Sequence, residues 1–183
     1  MQSDRFDLND FDLNDAVAIL ERTPSSLSAL LAGLPDRWLR ATEGEGTWSP
    51  FEVIVHLIHV ERTNWIPRAR YILAGEGRPF DPFDRSAQFA ESQGKSLAEL
   101  LATFAELRRV NAAALVGMNL ASADLSLTGQ HPDFGEVRLD QLLAAWVVHD
   151  LNHVGQIVRV MARAYRGEVG PWSAYLSILR DRE

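Results

Sequence analysis

The stretch "HDLNHVGQI" (149–157) sets His149 and His153 four residues apart. On a helix of 3.6 residues per turn they stand one above the other. Leu142, Trp146, His149, His153, Gln156 and Val160 recur at spacings of three and four, so both imidazoles share the stripe that carries leucine and tryptophan. A neutral imidazole buried without partners is costly, because its ring nitrogens need hydrogen bonds or a metal. Two imidazoles one turn apart can reach the same ion, which is why the H-x-x-x-H spacing recurs in zinc sites. A buried polar network would satisfy the same nitrogens, and the pair alone does not separate the two arrangements.

A second source of nitrogen is "VHLIHVE". Glu52, His56, His59 and Thr63 form one polar line on a pattern that is apolar on most other sides. That line is either a solvated edge or the wall of an internal cleft. In the second case His56 or His59 could meet His149 and His153 across two neighbouring helices. Three ring nitrogens with the remaining positions open to water make a site that can admit a substrate. His131, in "QHPDFG", is expected to be a turn residue.

The elements that must position these residues are legible in outline. A chain of 183 residues, 46% hydrophobic, is expected to form one domain over 1–183, with 1–13 a flexible or peripheral segment. "FDLND" occurs twice in tandem over 6–15, too briefly for a repeat fold. The first helical pattern spans 16–33, and Thr23-Pro24 predicts a break or kink inside it. The second runs over 49–73. Ser49 is its N-cap, Pro50 its first position, Glu52 completes a capping box, and Pro67 predicts a bend about one turn earlier. A loop rich in Gly, Pro and Asp follows over 75–85. The third helix spans 97–116, opened by Ser96 with Glu99. The segment before the fourth lacks helical period and suits two short extended pieces flanking "HPDFG". The fourth helix covers 140–166 and stops at Gly167, and 173–179 suits a short last helix. The expected fold is all-α: an antiparallel four-helix bundle with a short extra C-terminal helix.

Composition narrows the function classes. The net charge of −7 is spread over interspersed acids and bases, with no basic cluster for a nucleic-acid backbone. The absence of cysteine excludes disulfides, a cysteine nucleophile and thiolate ligands. The polar start "MQSDRFDLND" does not suit a signal peptide, and no apolar run approaches the ~20 residues that span a bilayer. A cytoplasmic protein is expected.

With Trp48-Ser49 before a helix, His56-Leu57 in "EVIVHL", and "WVVHDLNHVGQI" (146–157), the sequence resembles the DinB/YfiT-like superfamily of helical-bundle metalloproteins. "NWIPRARYIL", "RPFDPFDR" and "HPDFGEV" are similar to a branch with a long insertion between helices, and the resemblance runs from about Asn14 onward. It implies a triad of one histidine on the second helix and H-x-x-x-H on the last long helix, matched here by His56, His149 and His153. His59 has no place in that triad and is expected to line the site. The implied cofactor is a divalent metal, zinc first and nickel next. The implied chemistry is thiol-dependent transfer with a small thiol of the glutathione, bacillithiol or mycothiol type and a small electrophile. The electrophile would sit between helices two and four and the loops 75–85 and 131–135. Metal-dependent hydrolysis is the alternative, and a non-catalytic, stress-related metal-binding module is another. The catalytic residues are not specified, with Asp150 and Gln156 as the candidates. Asp150 could act as a base, although adjacent helical residues point about 100° apart; otherwise it is a salt-bridge or surface acid. Gln156 could orient a ligand. Relatives are often dimers, and Trp38, Trp65 and Trp172 are either interface residues of a homodimer or simply core.

Overall fold

The computed structural model describes residues 11–84, 87–90 and 92–180. The chain order is α1 (Leu13–Leu31), a single turn α2 (Asp36–Leu39), α3 (Pro50–Thr63), α4 (Trp65–Ala74), short α5 (Ala87–Ala90), α6 (Leu97–Gly117) and α7 (Ser122–Leu125). A hairpin of β1 (Thr128–His131) and β2 (Gly135–Arg138) follows, then α8 (Leu139–Arg163) and two 3-10 segments, Gly170–Tyr175 and Ser177–Leu179. The molecule is a four-helix bundle of α1, α3–α4, α6 and α8. Both α1 and α3 pack against α6 and α8. Trp65, at the start of α4, stacks on Trp146, whereas His56 meets His153 further along α8, so the α3–α4 arm and α8 run antiparallel. Among the described residues no helix is long and apolar enough to cross a membrane.

Local chemistry sets the helix ends. Ser49 and Glu52 form the expected capping box on α3, with Glu52 Oε2 accepting from Ser49 N at 2.8 Å, and Ser96 with Glu99 repeats it on α6. The bend expected before Pro67 is a break at Asn64 (φ −110°, ψ −69°). Pro67 then lies in the first turn of α4, where a missing N–H costs no intrahelical bond. The two extended pieces are present as the hairpin. It docks on the 78–84 loop, where Phe80 N donates to Gln130 O at 2.8 Å. At Gly129 a Cβ would come within 2.8 Å of Ile72 and 2.9 Å of Phe80, so only glycine allows this approach.

Several expectations are corrected. Helix α1 runs without a break through Thr23 and Pro24. Pro24 cannot donate to Leu20 O, but Arg108 Nη1 supplies that carbonyl with a hydrogen bond at 2.8 Å. The short last helix is present in 3-10 form, in two pieces that span Gly170–Tyr175 and Ser177–Leu179. The first ten residues of the expected peripheral segment lie outside the described residues. Residues 11–13 belong to the fold: Phe11 and Leu13 pack on the core, and Asp12 caps α1. Among the candidate interface tryptophans, Trp65 is 5% exposed and packs on Trp146 inside the bundle, so it faces no partner. Trp38 packs on Tyr165, and Trp172 is 70% exposed.

Two apolar clusters fill the bundle. One gathers the first halves of α1 and α8 with α4 and Leu115. The other gathers the second half of α1 with α3, the first half of α6 and Ile157. Along the helices, a buried polar layer separates them. Arg108 of α6, 1% exposed, uses all five N–H groups: Nε and Nη2 donate to Glu61 Oε1 at 3.1 and 2.7 Å, Nη1 to Asp150 Oδ2 at 2.5 Å and Leu20 O at 2.8 Å, and Nη2 to Asp150 Oδ1 at 3.1 Å. Trp146 Nε1 and Asn111 Nδ2 complete the bonding of Glu61, at 3.0 and 2.8 Å. One guanidinium thereby ties α1, α3, α6 and α8 together.

Removing one partner of such a cluster leaves buried charge uncompensated, so Arg108→Met is expected to lower stability by about 3–5 kcal/mol in urea denaturation. A loss below about 1 kcal/mol, the scale of an exposed ion pair, would contradict the clamp.

Candidate metal centre

His56 comes from α3, and His149 and His153 come from consecutive turns of α8. His149 Nε2 lies 3.1 Å from His56 Nε2 and 3.2 Å from His153 Nε2. The ligand atoms of the three residues all fall within 4.8 Å of one another. His56 and His153 are buried and His149 is partly so. The polar line on α3 is therefore split: its central imidazoles face inward, Glu52 caps the helix and Thr63 is exposed.

The outer ring nitrogens fix the protonation pattern. His56 Nδ1 lies 2.9 Å from Gln88 Oε1, and His153 Nδ1 lies 2.9 Å from Gln156 Oε1. An amide oxygen only accepts, so both Nδ1 atoms carry the proton and both Nε2 atoms turn lone pairs toward His149. A neutral His149 holds one proton, which cannot serve both neighbours. Among the described residues its Nδ1 is buried without a hydrogen-bond partner, so placing the proton there leaves three lone pairs converging. A cation at the point of convergence would satisfy all three. The donor set fits a divalent metal bound by neutral imidazoles, with the outer nitrogens held by partners that set each tautomer.

Burial reinforces neutrality. The His149 pKa falls from its ordinary 6.5 to about 3, first through loss of hydration, then through the rings of His153 and His56 and the charge of Arg108. His153 is also lowered, again mainly by burial, against opposing contributions from Gln156 and Asp150. Both rings therefore offer lone pairs at neutral pH.

Aromatic rings wall the cluster. Trp48 lies 4.8 Å from His56 and stacks at 6.2 Å on His153, Phe83 meets His56 edge-on at 5.8 Å, and Trp65 meets His149 edge-on at 5.2 Å. The loop bearing Trp48 is held to α8 by Glu43, which accepts from Arg159 at 2.7 Å and pairs with Arg163 at 3.1 Å. A cleft of about 660 Å³ opens on the three histidines, its other walls including Trp48, Arg68, Phe83, His131 and Phe134. These walls include parts of both loops expected from the sequence to contact a substrate.

The remaining candidates fall into distinct places. Asp150 is fully buried with both carboxylate oxygens on Arg108, so it is neither a surface acid nor free to serve as a base. Gln156 orients His153, the role suggested by its place on the stripe. His59 is buried with its ring 5.1 Å from Phe83, outside the three-nitrogen cluster. His131 ends β1, where Nδ1 accepts from the backbone N–H groups of Asp133 and Phe134 at 3.1 and 3.3 Å, and it also lines the cleft. Sequence reasoning missed Gln88, Glu61 and Arg108. Only Arg108 left a signal: it occupies the apolar stripe of Leu101, Phe104, Ala112 and Leu115.

The depressed His149 pKa makes metal-free stability depend on pH. Between 6.5 and about 3 the unfolded chain binds a proton at His149 that the folded chain does not. The contribution is thus intact above pH 6.5 and is lost progressively on acidification below it. Melting temperatures of metal-free protein should fall more steeply below pH 6.5 in the wild type than in His149→Leu; parallel curves would contradict this.

A profile of the DinB superfamily matches residues 19–157. Among solved structures, YfiT from Bacillus subtilis, described as a probable metal-dependent hydrolase with an unusual four-helix bundle topology, superposes with a TM-score of 0.69 at 24% identity, covering 82% of this chain and 86% of that one. TT2238, described as a four-helix bundle protein, is 26% identical with a TM-score of 0.50, covering 77% of this chain and 94% of its own. A comparison with curated proteins finds no match. With the profile spanning more than half of its length, the chain belongs to the DinB superfamily.

Proposed function

We propose that the protein is a metal-dependent transferase in which His56, His149 and His153 hold a divalent ion, zinc in the first instance and nickel next, and a small thiol is transferred to a small electrophile. The observation that supports this most strongly is the convergence of three Nε2 atoms, two of them locked as lone-pair donors by Gln88 and Gln156. When bound, such an ion lowers the pKa of a coordinated thiol or water toward neutrality, making either a nucleophile. The chain's own residues do the rest. Gln88 and Gln156 keep the imidazoles in the ligating tautomer. Trp48 and Phe83 limit water around them. The cleft holds the electrophile so that sulfur can form its bond to carbon as the leaving group departs and the thiol proton passes to solvent.

The surroundings of the cluster favour a thiol over a base-assisted hydrolysis. Asp150 is committed to Arg108, and Asp133, the carboxylate on the described cleft wall, is 80% exposed on the hairpin turn. Hydrolysis by an activated water remains the second reading, supported by the description of YfiT as a probable metal-dependent hydrolase.

The test incubates zinc- or nickel-loaded protein with monochlorobimane and, separately, glutathione, bacillithiol or mycothiol. Conjugation above background is expected with one of these thiols and is expected to vanish in His153→Ala. Cleavage of an activated aryl ester without any thiol, equally lost in that variant, would establish the hydrolase instead. Neither activity in metal-loaded protein would leave a non-catalytic metal-binding module.

A further inference from the structure

The cleft has a second chemical pole. Arg68 of α4 and His131 at the end of β1 line it together with the three histidines. Arg68 is half-buried, with its guanidinium carbon 5.0 Å over the Phe80 ring. Its one hydrogen bond among the described residues is a long contact, 3.5 Å, from Nη2 to Asp81 O. Arg108, Arg138 and Arg159, by contrast, each grip a carboxylate through two nitrogens. The carboxylates of Asp81 and Asp133 act on Arg68 from largely exposed positions, and Asp81 is itself paired with Arg78 at 3.0 Å. Burial outweighs both and lowers the Arg68 pKa. A cation has thus been drawn into a partly dehydrated cleft with most of its donors unspent, although a guanidinium matches a carboxylate through two parallel bonds.

His131 adds a neutral donor. Its Nδ1 accepts two backbone N–H groups, so the ring proton sits on Nε2. Its position is set by stacking on Phe134 at 4.3 Å, an edge contact to Phe80 at 6.2 Å, and the hairpin docking at Gly129. Phe80 therefore carries both donors on one buried support.

We infer that Arg68 and His131 form an anion subsite, which binds the carboxylate of a small organic acid while its reacting end lies at the three-histidine centre. This rests on the proposed metal-dependent reading and adds the substrate class to it. A cleft of about 660 Å³ is the size for a small molecule spanning two such poles.

The test is calorimetric titration of zinc-loaded and metal-free protein with mercaptopropionate against mercaptopropionamide, and succinate against succinamide. Each acid is expected to bind roughly tenfold more tightly than its amide. Arg68→Gln should abolish that preference while keeping the zinc content and helical circular dichroism of the wild type, which show that the variant is folded. Arg68→Lys should retain part of the preference, and His131→Phe should weaken the acids selectively. Preference in the mercapto pair alone assigns the acid to the thiol; preference for succinate as well assigns it to the second substrate. Equal binding of acids and amides, or a preference that survives Arg68→Gln, overturns the subsite. Zinc removal reports on the metal separately: if both mercapto probes bind no more weakly without zinc, the metal–thiol reading fails, while the acid-to-amide ratio still judges Arg68.

Discussion

The fold depends on a single guanidinium placed where four helices meet. Arg108 is buried, and every one of its donors is taken up by α1, α3 or α8. A cluster of this kind adds little net stability compared with apolar packing, but it strongly penalises any arrangement that separates its members. It therefore fixes the relative height and rotation of the helices. Asp150 immediately follows His149, and Glu61 lies about one and a half turns beyond His56 on α3, so Arg108 clamps the same two helices that carry the imidazoles. Sub-ångström placement of ring nitrogens from two helices needs such a constraint, because apolar side chains alone allow sliding.

The same layer bears on the charge state of the imidazoles. Asp150 and Glu61 are both bound to Arg108 within the core, and burial outweighs the pull of Asp150 toward a protonated His153. Burial then holds His149 neutral down to about pH 3, and the amides of Gln88 and Gln156 orient its neighbours without adding charge. Metal ligation by neutral histidines leaves the ion's full positive charge to act on a bound nucleophile. The cleft walls add a cation at Arg68 and aromatic faces at Trp48, Phe83 and Phe134.

Elements specified by local chemistry were legible in the sequence. The capping boxes at Ser49 and Ser96 and the apolar period of the long helices depend on neighbours within a turn or two. So does the H-x-x-x-H pair, which is why the bundle and two of its three imidazoles could be placed. His56 could be separated from His59 only by resemblance to a family, since both occupy one face of α3. What depended on distant partners was hidden. Pro24 looks like a helix break because the donor that repairs Leu20 O lies 88 residues away in Arg108. Asp150 read as a base, a salt-bridge partner or a surface acid, and only the distant Arg108 singles out the salt bridge. Gln88 gave no signal, because it sits on a four-residue helix after an irregular loop and acquires meaning only against His56. The short C-terminal helix is present in 3-10 form, as Gly170–Tyr175 and Ser177–Leu179, and it starts at Gly170-Pro171 rather than at Ser173.

Whether three imidazole nitrogens converge to hold one divalent ion is read from X-ray absorption at the metal edge of untagged protein, with metal content measured on the same sample. The expected result is about one ion per chain with three imidazole nitrogens at about 2.0–2.1 Å for zinc and at least one oxygen, lost from a His149→Ala/His153→Ala variant that remains folded. A metal-free protein that takes up no zinc or nickel, or an ion bound equally by that variant, would contradict it and leave the histidines a buried polar cluster.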